Sequence, residues 1–273
     1  MATAKPVSLG TEFVEFMFKK CFKWVLNTVP RPLLIRLSYV VRPLLALALR
    51  GNRMQDPIDG KGYRTFLPYG YGRQRANVLA PGTLSLERHR LLWLWLSRET
   101  DFFTQQRSLL HFAPEQAFYQ RFKRMPHLDY LTTDLLSPLA DVKADICDLP
   151  FDDNRFDLIF CNHVLEHIPD DQQAMRELYR VMKPGGMGIF QVPQDLNRAT
   201  TFADDSITDP AERARIFGQY DHVRVYGRDY FDRLRAVGFE VEAVDYTAQL
   251  GPEAVQRYGL ASGELLPVCR KPL

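Results

Sequence analysis

The stretch that decides the fold is residues 156–192, "FDLIFCNHVLEHIPDDQQAMRELYRVMKPGGMGIFQV". Two short apolar runs, 156–161 and 187–192, flank a segment with the composition of a helix. A strand, a crossover helix and a second strand form the unit from which parallel sheets are built. The stretch therefore predicts a parallel sheet with helices packed on it.

Similar apolar runs surround this stretch. "SLLHF" (108–112), "LDYLTT" (128–133) and "VKADI" (142–146) precede it, and "FEVEAVDY" and "ELLPVCRK" follow it. Helical segments such as "PEQAFYQRFKRM" separate several of the runs. We therefore predict an α/β, Rossmann-like fold: a seven-stranded, mostly parallel sheet with helices on both faces, plus an N-terminal helical extension.

The region before this sheet divides into two predicted parts. Residues 1–55 are a basic amphipathic helical extension, and 1–53 carry nine lysines and arginines against two glutamates. Residues 56–104 are a loop-rich segment followed by a helix that caps the core. The extension reads equally well as a helix pair in a membrane interface and as a lid on the folded domain, because both need the same amphipathic face.

Composition limits the function. A net charge of +2 argues against general nucleic-acid binding. The four cysteines are too widely spaced for a zinc or disulfide framework, so we predict no metal site and a reducing compartment. The window "LLIRLSYVVRPLLALAL" is interrupted by arginines and a proline and is too short to span a bilayer. We expect a cytoplasmic protein, with peripheral contact at the inner membrane surface through residues 11–50 if the membrane interpretation holds.

Polar residues follow the predicted strands, at the edge where such sheets bind ligands. Asp134 can accept hydrogen bonds from both hydroxyls of a ribose, although a turn or helix-cap aspartate is the plainer interpretation. Asp145 can accept a hydrogen bond from an exocyclic amine, and Ile146 offers an apolar wall for an adenine ring. Asn162 and His163 leave the fourth strand.

The run 145–193 resembles the class I S-adenosylmethionine-dependent methyltransferases, in particular the methyltransferase type 11 group. It carries that group's "LPF" segment, its "VLEH" strand end and its "KPGG" helix end. The combination of "HFAPE", "VPQDLNRATTF" and "DHVRVYG" resembles a bacterial subgroup of that family. The resemblance implies a domain over 105–273, S-adenosylmethionine as the cofactor, and an acceptor-binding insertion at 194–226.

The same resemblance implies residue roles. Asp134 matches the ribose-binding acid, Asp145 and Ile146 the adenine-binding pair, and Asn162 and His163 the positions below the methionine moiety. In the first motif the usual acidic residue and G-x-G are replaced by His111, Phe112, Ala113, Pro114 and Glu115.

We expect the altered first motif to keep cofactor binding. S-adenosylmethionine has no phosphate and needs no nest of backbone amides. Ala113 adds only a methyl group, and Pro114 suits a first helical turn. Glu115 can face the cofactor's positive charges. His111, Ala113, Pro114 and Glu115 are therefore predicted cofactor residues, and a non-catalytic binding protein is the alternative.

The acceptor site is less defined by the sequence. His222 beside Asp221 is a candidate general base, and so is His163, although a loop anchor is an equally good interpretation of His222. The candidate acceptor-binding residues are Gln194, Arg198, Arg224 and Tyr226. We predict methyl transfer to a small-molecule or lipid-like acceptor. A nicotinamide oxidoreductase is disfavoured because no G-x-G-x-x-G follows the first strand.

Overall fold

The computed structural model describes residues 31–70 and 74–273. The first of the two predicted N-terminal helices therefore lies outside the described residues. The chain divides into two compact units, with the boundary between Ala48 and Leu49. This boundary falls a few residues before the predicted one at residue 55.

The described part of the first unit is helix α1 (Arg31–Ala48), which contains Pro43. Its exposed apolar side chains recur at helical spacing, at Leu33, Leu37, Val40, Leu44 and Leu47. Among the residues that the structure describes, no helix combines the length and the apolar character needed to cross a membrane.

The second unit begins with two small antiparallel ribbons, as the turn-rich sequence predicts. The first ribbon pairs β1 (Arg50–Gln55) with β2 (Gly62–Tyr63), and the second pairs β3 (Leu67–Tyr69) with β4 (Arg75–Leu79). Helix α2 (Glu87–Glu99) follows.

Helix α2 buries two basic side chains near its N-terminus. Its N-cap residue is Leu86, whose backbone N–H donates to His89 Nδ1 at 3.0 Å. The side chains of His89 and Arg90 are both buried. Arg90 is buried because main-chain carbonyls from three segments accept its hydrogen bonds.

The central sheet has six strands within the described residues, in the order β11-β12-β8-β7-β5-β6. The strands β6, β5, β7 and β8 are parallel to one another, while β12 is antiparallel to both β8 and β11. The strand bounds are β5 (Arg107–Phe112), β6 (Leu128–Thr133), β7 (Phe156–Cys161), β8 (Met182–Ile189), β11 (Glu240–Val244) and β12 (Leu266–Arg270). A separate short ribbon pairs β9 (Phe202–Ala203) with β10 (Arg224–Val225).

Helices cover both faces of this sheet. Alternate residues of β5 point to opposite faces: Leu109 packs in a cluster with α2 and α3, and Leu110 packs in a cluster with α4 and α6. The remaining helices are α3 (Gln116–Phe122), α4 (Asp171–Val181), α5 (Pro210–Phe217), α6 (Tyr230–Val237), α7 (Tyr246–Leu250) and α8 (Pro252–Tyr258), with a 3₁₀ turn at Leu165–His167. The predicted α/β, Rossmann-like architecture is confirmed.

The predicted seventh strand, 142–146, does not form. Val142 makes only an isolated parallel bridge to Thr133 at the edge of β6. The side chain of Asp141 explains the interruption, because it accepts hydrogen bonds from the backbone N–H and the hydroxyl of Thr132. The segment therefore runs along the sheet edge as a loop anchored by an aspartate.

The topology fixes where a ligand site belongs. Strand β5 pairs with β6 on one side and with β7 on the other, so the strand order reverses at this point. In open α/β sheets, ligands bind beyond the carboxyl ends of the strands that flank such a switch point. Here those ends are Phe112 and Cys161.

Candidate cofactor and acceptor site

The backbone turns sharply at both of these strand ends. Ala113 follows β5 with φ = 46°, and His163 lies just beyond β7 with φ = 55°. This left-handed region costs a non-glycine residue about 1–2 kcal/mol. Each turn is held by a hydrogen bond to a neighbouring strand end, from Ala113 N–H to the Thr133 carbonyl (3.0 Å) and from His163 N–H to the Gln191 carbonyl (2.7 Å). Ala113 thus adopts a backbone conformation that favours glycine, in the motif where the family has glycine.

The predicted first-motif residues form a buried polar chain. Glu115 Oε2 lies 2.6 Å from His111 Nε2, and His111 Nδ1 lies 2.8 Å from the Tyr130 hydroxyl. Glu115 Oε1 is 3.6 Å from His89 Nε2 on α2. Burial opposes ionisation of Glu115, but the hydrogen bond from His111 and the nearby positive charges outweigh it and lower the pKa of the carboxyl to about 2. The carboxylate points at two histidines, with 12% of the side chain exposed. Pro114 is buried beside it.

The two predicted nucleoside-binding aspartates lie in turns at the same edge. Asp134 Oδ1 accepts the backbone N–H groups of Leu136 (2.7 Å) and Ser137 (2.5 Å). Asp145 Oδ1 accepts the N–H of Cys147 at 2.9 Å. In both turns one carboxylate oxygen fixes the loop and Oδ2 takes no part in these backbone bonds. Oδ1 of Asp134 therefore has the role of a turn aspartate, and Oδ2 is left for a ligand.

Next to these turns lie buried polar atoms without a hydrogen-bond partner among the described residues. They are Thr133 Oγ1, Asn162 Nδ2 and Gln191 Nε2, at the ends of β6, β7 and β8. Ile146 contrasts with them, because its side chain is 4% exposed and packs in the core beside Leu110. That packing leaves little of Ile146 to contact an adenine ring.

The predicted pair of Asp221 and His222 is not coupled by a hydrogen bond. His222 Nδ1 lies 3.1 Å from the Phe217 carbonyl, and the side chain is almost completely buried. Asp221 Oδ2 lies 3.5 Å from His167 Nδ1 instead. Burial lowers the pKa of His222 more than the Glu166 carboxylate nearby raises it. The arrangement favours the anchor interpretation of His222 over that of a general base activated by Asp221.

Two predicted acceptor ligands belong to a buried ionic network. Asp171 is 2% exposed, accepts hydrogen bonds from Arg233 Nη2 (2.6 Å) and the Tyr226 hydroxyl (2.8 Å), and forms an ion pair with Arg224 Nη1 at 2.6 Å. Arg224 also donates to the carbonyls of Ile168 and Pro169. Because these groups satisfy one another away from solvent, the structure favours a structural role for Arg224 and Tyr226 over contact with an acceptor.

The acceptor side also contains a cavity of about 200 Å³. His163, Gln191, Gln194 and Glu264 contribute to its lining, together with Val192, Pro193, Leu196, Gly263 and Leu265. Gln194 Nε2 donates to the Gly227 carbonyl at 3.3 Å. Arg198 does not line this cavity and pairs with Asp195 at 3.2 Å, with 45% of its side chain exposed.

Two residues of this region, Glu264 and Glu166, were not among the predicted site residues. Burial raises the pKa of Glu264 to about 7, so the cavity contains a carboxyl group that titrates near neutrality. Glu166 Oε1 lies 3.2 Å from His163 Nδ1. The "VLEH" motif drew attention to Glu166 without giving it a role, and no signal in the sequence singles out Glu264.

Comparison with known proteins places the central segment in a family. Residues 128–190 match the family model described as a methyltransferase domain. Demethylmenaquinone methyltransferase of Staphylococcus carnosus is 46% identical over 54 residues, 20% of this chain and 22% of that protein. The chloroplastic 2-phytyl-1,4-beta-naphthoquinone methyltransferase of Arabidopsis thaliana is 39% identical over 62 residues, 22% of this chain and 24% of that protein. The matched segments thus span less than a quarter of either relative.

Among solved structures, an S-adenosylmethionine-dependent methyltransferase from Mesorhizobium loti aligns with a TM-score of 0.44 at 17% identity, over 66% of this chain and 98% of that one. The family assignment depends on the sequence match, which covers β6, β7, α4 and all of β8. The match to the methyltransferase-domain family is confined to residues 128–190, which are 63 of the 273 residues of this chain.

Proposed function

We propose that this protein transfers a methyl group from S-adenosylmethionine to a small-molecule acceptor. The observation that carries the proposal is the arrangement of residues at the carboxyl ends of β5, β6 and β7. The backbone is left-handed at Ala113 and His163, next to the switch point of the sheet, and the carboxylates of Asp134 and Asp145 lie at the same edge. A nucleoside ligand without phosphate needs carboxylates for its hydroxyl and amine groups and no anion-binding loop.

The residues at this edge fit S-adenosylmethionine. Asp134 would hold the ribose hydroxyls, Asp145 the adenine amine, and Asn162 and the backbone at Ala113 the methionine moiety. The unpartnered Asn162 Nδ2 and Thr133 Oγ1 offer hydrogen bonds that the described protein groups leave unused. When bound, the cofactor supplies an electrophilic methyl group.

Among the other predicted first-motif residues, Glu115 would act by holding neighbouring elements of the fold in place. Glu115 is hydrogen-bonded to His111 and faces His89 on α2 at 3.6 Å, so it would keep β5, α2 and α3 in register beneath the cofactor and add negative charge to the site. Its low pKa keeps that charge at neutral pH. Contact between Glu115 and the positively charged cofactor stays a prediction.

The cavity next to His163 is the proposed acceptor site. Gln194 and Glu264 offer polar contacts there, and Val192, Leu196 and Leu265 offer apolar ones. The two relatives are named for quinone acceptors, which supports a small-molecule acceptor for this chain. Positioning an acceptor against the methyl donor can supply much of the rate without a strong base.

Methyl transfer is tested with a matched pair of variants on one strand. Asp134→Asn keeps the turn-forming oxygen and removes the charge, while Asp129→Asn makes the same change at the exposed, opposite end of β6. We expect isotopically labelled S-adenosylmethionine to label a small molecule from a cell extract. Labelling should persist with Asp129→Asn and fall about 10-fold or more with Asp134→Asn, since a hydrogen bond to a charged group contributes about 1.5–3 kcal/mol. Equal labelling by both variants would exclude the proposed ribose contact.

We also propose that α1 contacts a membrane surface and brings the protein to a lipid-like acceptor. Its exposed leucines and valines form one apolar stripe, and basic residues are enriched through residues 1–53. The full chain should co-sediment with anionic vesicles, and Leu37→Glu with Leu44→Glu should release it. Co-sedimentation that is absent, or unaffected by these changes, would favour the lid interpretation.

A further inference from the structure

A second cluster of reactive side chains lies just past β7, beside the proposed acceptor cavity. Glu166 and His167 belong to the 3₁₀ turn after this strand, and His222 comes from the loop before β10. One potential ligand atom from each residue lies within 4.8 Å of the other two. The cluster therefore combines one carboxylate with two imidazoles.

The polar atoms of this cluster lack the partners that buried groups usually have. The Glu166 side chain is 2% exposed, and neither of its oxygens has a hydrogen-bond partner among the described residues. His222 Nε2 is also buried and unpartnered, 4.0 Å from Glu166 Oε1. His163 Nδ1 approaches Oε1 to 3.2 Å without the alignment of a hydrogen bond. Buried carboxylates are normally paired, hydrogen-bonded or bound to a metal ion.

In each imidazole, Nδ1 lies within hydrogen-bond distance of a main-chain carbonyl, which leaves Nε2 for a metal ion. When His222 Nδ1–H donates to the Phe217 carbonyl at 3.1 Å, Nε2 keeps its lone pair and faces Glu166. His167 Nδ1 lies 3.3 Å from the Asp221 carbonyl, and a proton there leaves the lone pair on Nε2. Metal-binding histidines usually donate their second N–H to a carbonyl or carboxylate in this way.

The two segments that supply the cluster are tied together. The Val223 N–H donates to the Glu166 carbonyl at 3.0 Å. Arg224 donates to the carbonyls of Ile168 (2.7 Å) and Pro169 (2.6 Å), and Asp171 holds Arg224 in place. The buried ionic network thus fixes the loop that contains His222 against the turn that contains Glu166, so the cluster is organised before any ligand arrives.

We propose that Glu166, His167 and His222 bind a divalent transition-metal ion. Two imidazoles and one carboxylate suit Zn²⁺, Co²⁺ or Mn²⁺ better than Ca²⁺, which takes oxygen ligands only. Ligand atoms about 2.1 Å from a tetrahedral ion lie about 3.4 Å apart, so closing the site from separations of up to 4.8 Å needs side-chain movements of roughly an ångström. The sequence predicts no metal site, because the spacing of Glu166 and His222 along the chain does not show that they meet.

The position of the site indicates its use, and this step rests on the proposed methyltransferase function. His163 lines the acceptor cavity and lies 3.2 Å from Glu166 Oε1, and the His167 side chain is 31% exposed, so the cluster adjoins the cavity through His163 and reaches the surface at His167. A metal ion with three protein ligands keeps a position for a further ligand. It would hold an acceptor by an oxygen atom and lower the pKa of a hydroxyl there, so we infer an alcohol or phenol as acceptor.

The metal site is tested without reference to turnover. Full-length protein is treated with chelator, dialysed and titrated with Co²⁺, followed by visible absorption and by thermal melting. His167→Gln changes the most exposed ligand, Glu166→Gln keeps the shape of the buried one, and His127→Gln makes the same histidine substitution outside the cluster. We expect one-to-one Co²⁺ binding and a rise in the melting temperature for the wild type and His127→Gln.

Mutation of a residue that only supports a metal ligand typically weakens metal binding about 10–100-fold. Loss of Glu166 or His167, as a direct ligand, should weaken Co²⁺ binding by more than that. The inference is overturned if folded wild-type protein binds none of Co²⁺, Zn²⁺ and Mn²⁺, or if His167→Gln and Glu166→Gln bind as tightly as the wild type. A parallel titration with S-adenosylhomocysteine in chelator separates the two proposals. Metal binding without S-adenosylhomocysteine binding would support the metal site and reject the proposed function.

Discussion

At the scale of single residues, the candidate site is built on two left-handed backbone turns, at Ala113 after β5 and at His163 after β7. The glycine-free motif "HFAPE" raises the question whether Ala113 can replace a glycine, and the structure answers with a left-handed alanine whose amide is bonded to Thr133. The positions of Asn162 and His163 at a strand end were predictable, because strand β7 has clear apolar boundaries. The contact of Glu166 with His222 was not, because it depends on how a distant loop packs.

The strain at Ala113 gives a prediction about stability. Ala113→Val should lower the free energy of unfolding by about 1–3 kcal/mol, since a β-branched side chain is costly at positive φ. Ala113→Gly is the matched change and should be close to neutral, because relief of strain offsets the added entropy of the unfolded chain. Urea denaturation compares the two. Equal destabilisation by both variants would show that the methyl group, and not the backbone, matters.

The Asp171 network gives a pH-dependent prediction. Burial opposes ionisation of Asp171, but the hydrogen bond from Arg233 and the charge of Arg224 lower its pKa below the usual value. A carboxyl group whose pKa is lower in the folded state stabilises the fold above its unfolded pKa of about 3.9 and loses that contribution as the pH falls further. Asp171→Asn should therefore cost about 3–5 kcal/mol at pH 7 and less below about pH 4.

The control for this prediction is Asp232→Asn, which removes an exposed carboxylate 2.8 Å from Arg235. That pair should contribute less than about 1 kcal/mol. Urea denaturation of both variants and the wild type, repeated between pH 3 and pH 8, measures the effect. A cost for Asp171→Asn that is the same at every pH would contradict the assigned pKa shift.

At the scale of elements, most of the sheet follows from the apolar pattern. The predicted bounds of β6 and β7 agree with the structure, since each run is apolar and ends at a polar residue. The predicted strand at 142–146 is reduced to backbone contacts at Asp141 and Val142, and the side chain of Asp141 takes the N–H and hydroxyl of Thr132 in β6. Helix α2 was predicted correctly, but the burial of Arg90 could not be, because the carbonyls that hold it come from distant parts of the chain.

Arg90 gives the prediction at this scale. Its guanidinium is fully buried and donates to the carbonyls of Tyr258 and Gly259 at the end of α8, and to those of Val78 and Ser85 before α2. A lysine has one nitrogen and cannot reach all of them, so Arg90→Lys should lower the free energy of unfolding by about 3 kcal/mol or more. Arg98→Lys, on the exposed side of the same helix, should change it by less than about 0.5 kcal/mol. Chemical denaturation measures both, and similar small effects would contradict the proposed junction.

At the scale of the whole molecule, the structure separates the predicted extension from the domain that contains the site. Every residue proposed to bind the cofactor, the acceptor or the metal ion lies in the second unit, residues 49–273. The amphipathic pattern leaves the membrane and lid interpretations of the extension open.

This separation predicts that deletion of residues 1–48 leaves cofactor binding intact. The affinity of the truncated chain for S-adenosylhomocysteine should lie within about 10-fold of that of the full chain, a difference of 1.4 kcal/mol. Binding to anionic vesicles should be lost in the same truncation. If cofactor binding is lost while the truncated chain remains folded by circular dichroism, the extension contributes to the site and the lid interpretation is the better one.

The central claim is that a glycine-free first motif and two turn-forming aspartates still bind S-adenosylmethionine. Calorimetric titration of the full chain with S-adenosylhomocysteine tests this claim most directly, because it needs no acceptor. We expect saturable binding by the wild type and by Asp129→Asn, and binding about 10-fold weaker or more by Asp134→Asn. Folded wild-type protein that gives no binding heat at any concentration up to about 1 mM, the upper end of typical enzyme affinities, would contradict the account.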